Sequence, residues 1–159
     1  MKHINNMNKN DINHIHIHDS SYEGFRYDYD NRLIEMRCEN DYLKKKFTLI
    51  FHNVILFEVQ SCMFWHGGNA IMYIALSDDS PLAKKYQDLQ NMDREKLELT
   101  CLDKNDGIQY IPIEIQINSG DMLYLVCESV DFNEEELDVE ESRRRHHYPD
   151  PDKGWQVDW

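Results

Sequence analysis

The chain has no run approaching the roughly 20 apolar residues that a helix needs to cross a bilayer. Its opening residues, MKHINNMNKNDIN, are polar and asparagine-rich, without the apolar core of a secretory signal. These gaps predict a soluble, unsecreted, cytoplasmic protein. Basic residues are also scarce: 17 Lys and Arg stand against 30 Asp and Glu, for a formal charge of −13. Such a field repels nucleic-acid phosphates and anionic membrane surfaces, so neither is expected as a partner, whereas a basic protein would be attracted. Cysteine is limited to Cys38, Cys62, Cys101 and Cys127, widely spaced and without any CxxC pairing. Three of them fall in apolar strand patterns, where free thiols are commonly buried, and reduced cysteines in a cytoplasm are expected.

Signatures of chemistry are missing as well. There is no Walker loop, dinucleotide fingerprint, GxSxG elbow or HExxH helix. Acidic residues such as Asp28, Asp30, Glu114 and Glu128 have spacings that any polar strand face shows, so no carboxylate pair stands out as a catalyst. No cofactor is expected, and a non-enzyme is the favoured reading.

What is present is β patterning. At 159 residues and 41% hydrophobic, the chain suits one domain with its own core. Residues 1–12 read as a flexible leader, 13–132 as a single β-rich domain, and 133–159 as a charged, largely irregular tail. HIHIHD reads as a strand, and YEGFRYDY and LIEMRCEN as a hairpin turning at Asp30 and Asn31, with Ile34, Met36 and Cys38 on one face. KFTLIFHNVILFEVQSC is too long for one strand and divides at His52 and Asn53. A further strand is expected from Ala70 to Leu76, others at KLELTCL and GIQYIPIEIQI, and a last one at MLYLVCESVDF after an NSGD turn. Pro112 lacks an amide donor, so its strand is expected at an edge or to carry a bulge. The period changes once: Ser80 as cap, Pro81 at the first helical position and Leu82, Tyr86 and Leu89 on one face predict an amphipathic helix near 81–92. Seven to nine short strands with one helix predict a mainly β fold, an antiparallel β-sandwich or a partly open barrel. In the tail, EEELDVEES followed by RRRHH allows a short helix with Glu140–Arg144 and Glu141–Arg145 pairs, although a solvated segment is the favoured expectation. Trp155 and Trp159 are unusual there, because exposed indoles generally find a surface.

Two stretches raise questions of function. His14, His16 and His18 alternate, and on a strand three imidazoles would share one side beside Asp19. Same-face neighbours are about 7 Å apart, so a metal would also need distant ligands such as His52 or His66. The plainer reading turns Ile15 and Ile17 inward and leaves the histidines in water. In QSCMFWHGGN, Cys62 and His66 are poorly spaced for a nucleophile and its base, and no third group orients them. Either Trp65 is a core anchor for a glycine turn, or Trp65, His66, Gly67, Gly68 and Asn69 form an exposed partner-binding loop.

At HDSSYEGFRYDYDNRLIEMRCEN, FHNVILFEVQSCMFWHGGN and INSGDMLYLVCESVDF, the chain resembles small bacterial YxiG-like proteins, which are similar to immunity proteins of polymorphic toxin systems. The likeness spans residues 14–132 and rests on the His-Asp-Ser opening, a Phe-x-Asn-Val strand, the Trp65-His66-Gly67 element and the Ser-Gly-Asp hairpin. It implies a mostly β cytoplasmic protein that acts by binding a toxin; the charged segment after Phe132 departs from that pattern. The expectation is therefore a non-catalytic protein-binding domain whose partner is a basic toxin. The alternative is a metal-dependent β-barrel enzyme or small-molecule sensor using His14, His16 and His18.

Overall fold

The computed structural model describes residues 1–60, 69–91, 109–118, 120–140 and 142. Among these residues nine strands are formed: β1 Lys2–Ile4, β2 Ser21–Asp28, β3 Leu33–Asn40, β4 Lys45–His52, β5 Leu56–Val59, β6 Ile71–Leu76, β7 Ile111–Ile117, β8 Met122–Cys127 and β9 Ser129–Glu136. They make two antiparallel sheets, a five-stranded one ordered β1-β9-β4-β3-β2 and a four-stranded one ordered β5-β8-β7-β6. The fold is thus the two-sheet arrangement of a sandwich rather than a closed barrel.

Alternation along each strand sets the layers. Ile34, Met36 and Cys38 of β3, Phe47, Leu49 and Phe51 of β4 and Val130 of β9 are buried from the five-stranded sheet. They meet Ile113, Ile115 and Ile117 of β7 and Leu123, Leu125 and Cys127 of β8 in one apolar cluster. In β6 a register shift between Ile71 and Tyr73 lets Ile71 and Ile74, three apart, both enter that cluster. Complete burial of such a side chain is worth about 1.5–3 kcal/mol, so each fully buried member of this layer contributes on that order.

Helix α1, Pro81–Asn91, packs on the β5 and β8 part of the other face of the four-stranded sheet. Ser80 Oγ accepts from the Ala83 amide at 3.1 Å, the cap expected from the sequence. Leu82 and Tyr86, with Leu89 beside them, pack on Tyr110, Tyr124 and Val126. The Tyr86 and Tyr110 rings meet edge to face at 5.8 Å.

Four expectations are corrected. Residues 1–12 are not a loose leader: β1 pairs with β9, a 3-10 helix runs over Asn6–His14 with a break at Asn8, and Ile4 and Ile12 are fully buried. The asparagines act as caps, Asn5 Oδ1 accepting from the Met7 amide at 2.9 Å and Asn8 Oδ1 from the Asn5 amide at 2.8 Å. HIHIHD is not a strand, because residues 15–20 are turned by the Ser20 amide donating to Ile17 O at 3.1 Å and by Asp19 at φ 62°. The tail does not start at Asn133, since β9 continues to Glu136 opposite a lysine pair: Lys46 Nζ lies 2.7 Å from Glu135 and Lys45 Nζ 2.6 Å from Glu136. Cross-strand opposite charges hold acidic residues in a ladder that composition alone reads as solvated.

The fourth concerns Pro112, which lies in an interior strand, with β8 on one side and β6 on the other. Its carbonyl accepts from the Ser77 amide at 3.1 Å, so its nitrogen faces the same way, one residue past the last residue of β6. The missing donor faces Ser77 O, which instead accepts from the Ser80 amide at 3.2 Å, so no acceptor is orphaned. KLELTCL, Cys62, Cys101, Trp155, Trp159 and the Glu140–Arg144 and Glu141–Arg145 pairs lie outside the described residues.

Candidate functional site

Among the described residues, a cleft of about 580 Å³ opens where the β2–β3 turn meets the link from β4 to β5. The turn is built by Asp28, whose carboxylate accepts from the Asn31 amide at 3.1 Å and from Asn31 Nδ2 at 2.7 Å. These bonds, led by the side-chain one, hold the Asp28 carboxyl below its usual range. Arg32 then adopts φ 50° and its amide donates to Tyr29 O at 3.2 Å. Across the cleft, Asn53 takes φ 49° between the two strands that the sequence separates at this point. A bond from the Val54 amide to Arg32 O at 2.7 Å joins the two segments. The site is therefore set by the Asp28–Asn31 bonds and by the backbone bond between the two segments.

Its chemistry is mixed. Val54, Ile55, Leu56 and Phe57 provide an apolar wall, and Tyr27 and Tyr29 line the turn side while 64% and 86% exposed. Phe57 also receives Phe25 edge to face at 5.0 Å, which ties the cleft to the edge strand β2. Asp30 and Arg32 complete the rim, and neither side chain has a hydrogen bond or ion pair among the described residues. Such an arrangement can hold a ligand by apolar contact, ring faces and a few charges.

The residues singled out from sequence fall elsewhere. His14, His16 and His18 are all exposed, with Ile17 buried and Ile15 packed against the core. Among the described residues, only His18 of the three has an acidic contact, Nδ1 to Asp19 Oδ2 at 2.8 Å. Among the described residues no group of three or more His, Cys, Asp or Glu side chains could hold a metal, so the metal alternative gains no support. Trp65, His66, Gly67 and Gly68 lie outside the described residues. Asn69, the remaining member of that loop, is pinned to β2: its carbonyl accepts from the Tyr22 amide and its Nδ2 donates to Tyr22 O, both at 2.8 Å.

Sequence reasoning missed the cleft and a second polar centre. Tyrosines alternating with aspartates in a turn, YDYDNR, were a usable signal, since a tight turn has no structural need for two aromatic rings. On the outer face of the five-stranded sheet, Asp131 lies between His3 Nδ1 at 2.7 Å and His52 Nε2 at 2.9 Å. Burial pushes the Asp131 carboxyl up, but the bonds to His3 and His52 outweigh it and hold the group below its usual range. Cys38 and Cys127 are free and buried, and burial pushes the Cys38 thiol up to about 12 and Cys127 higher still, which leaves both poor nucleophiles. Comparison of the chain with protein-family models, with curated proteins and with solved structures finds no match.

Proposed function

We propose that this chain is a non-catalytic protein-binding domain of the immunity type, which neutralises a basic toxin by covering it. The observation that carries the reading is the pair of exposed rings, Tyr27 and Tyr29, on a turn whose backbone is already locked to the β4–β5 link. Tyrosine gives large contact area with little rotamer entropy to lose, and interface centres are enriched in it. A pre-set backbone lowers the ordering cost of association. The net charge of −13 supports the choice of a basic partner, because complementary fields speed encounter. The motif resemblance in residues 14–132 points the same way. On this reading the protein acts in the cytoplasm and needs no cofactor.

The test is co-expression with a panel of basic toxin catalytic domains, nucleases foremost, scored by growth rescue and by calorimetry on the purified pairs. Rescue together with a saturable one-to-one complex, lost in a Tyr27→Ala/Tyr29→Ala double variant, is the expected result. Absence of rescue and of binding across the panel refutes the proposal.

A further inference from the structure

Resting on the protein-binding reading, we infer that the cleft between the β2–β3 turn and the β4–β5 link seats a cationic side chain, an arginine or lysine on an exposed segment of the basic partner. Long cationic side chains carry an aliphatic stem and a charged head, and the cleft offers a surface for each. Val54, Leu56 and Phe57 supply apolar wall for the stem. Tyr27 and Tyr29 line the cleft while largely exposed, and the face of a tyrosine ring attracts a guanidinium or ammonium. Asp30 supplies a carboxylate with no hydrogen bond or ion pair among the described residues, whereas that of Asp28 is committed to Asn31.

Arg32 lines the same cleft and opposes a cation. Two acids against one base still leave the rim negative, within a chain of net charge −13. An anionic occupant would have Arg32 alone in its favour among the lining charges and would meet two carboxylates. At about 580 Å³ the cleft exceeds the volume of a single side chain, so neighbouring residues of the partner segment enter with it.

The experiment is fluorescence anisotropy with labelled hexa-arginine, hexa-glutamine and hexa-glutamate peptides on the full chain, at about 0.15 M salt where long-range attraction is screened. Hexa-arginine is expected to bind and the other two to bind weakly or not at all. Tyr29→Ala should weaken hexa-arginine by roughly two- to five-fold, the worth of one exposed cation–ring contact. Asp30→Asn should weaken it by about two- to five-fold, and Arg32→Ala should strengthen it. Glu135→Gln removes the same charge at the other end of the five-stranded sheet and should leave binding within about 1.5-fold, as expected for a screened distant charge. All four positions are exposed, and melts confirm that the variants fold. No binding of hexa-arginine, equal losses for Glu135→Gln and Asp30→Asn, or weakening by Arg32→Ala overturns the inference. If the peptide fails while a toxin domain is still bound and growth rescued, the cleft assignment falls and the protein-binding reading stands. If no toxin domain is bound, that reading falls whatever the peptide does.

Discussion

Replacing Ile4 by alanine asks whether the first strand belongs to the core. Ile4 is 0% exposed and sits in the cluster between the sheets, opposite Val130 in the β1–β9 register. The substitution removes three carbons, worth about 0.8 kcal/mol each in transfer, or about 2.4 kcal/mol. The cavity left behind raises the loss to about 3–4 kcal/mol, within the range for such truncations. For a domain of this size each kcal/mol moves Tm by about 2–4 °C, so a fall of roughly 6–16 °C is expected. Urea unfolding should show a lower midpoint with an unchanged slope. Met7→Ala, at a side chain 91% exposed, should stay within about 0.5 kcal/mol and serves as control. A midpoint for Ile4→Ala equal to that of Met7→Ala would refute the placement of β1 in the sheet.

Acid should weaken the Asp131 contacts in a defined direction. The folded carboxyl sits below its unfolded value of about 3.9, so its contribution is full above that value and is lost as pH falls through the folded one. Partial exposure of His3 and His52 limits the contribution to about 1 kcal/mol; the gap in urea midpoint between wild type and Asp131→Asn should narrow toward acid, and a pH-independent gap refutes the assignment. Cys38 and Cys127 should resist thiol reagents near pH 8 in the native state and react fully in denaturant, with labelled peptides read by mass spectrometry; native labelling of either refutes their burial. Pro112→Ala should change stability by less than about 1 kcal/mol, because the Ser77 carbonyl facing its amide already accepts from the Ser80 amide at 3.2 Å. A gain above about 1 kcal/mol in urea melts would show that the ring had been blocking a ladder bond.

Much of the fold is legible in the chain wherever a period is long enough to register. The β2–β3 hairpin, the break at His52 and Asn53, the capped helix at Ser80 and Pro81 and the isoleucine face of β7 all follow from local chemistry. β1 is three residues long, too short to show alternation, and only its pairing with β9 makes it a strand. Glu135 and Glu136 are likewise unreadable without Lys46 and Lys45 in register across from them, as is Glu134, which Lys45 Nζ reaches at 3.2 Å. The three histidines illustrate the reverse failure, since alternation over five residues also arises when a turn buries Ile17 and leaves its neighbours wet. The cleft was hidden for a different reason: its walls come from two segments joined by a single backbone bond, Val54 to Arg32, that no pattern along the chain announces.

The order β1-β9-β4-β3-β2 also bears on how the protein is made. The β2–β3–β4 meander can pair as soon as it leaves the ribosome, since its strands are consecutive. β9, which separates β1 from β4, arrives far later: His52 and Asp131 are 79 positions apart. At about 5–20 residues per second that is roughly 4–16 s. During that interval β4 has an unpaired side and β1 has no partner, so the nascent chain carries an open sheet edge of the kind chaperones bind and like strands join. Completion of the five-stranded sheet is thus a late event in which one strand inserts between two that preceded it, and slow codons or low temperature before Ser129 prolong the exposed state.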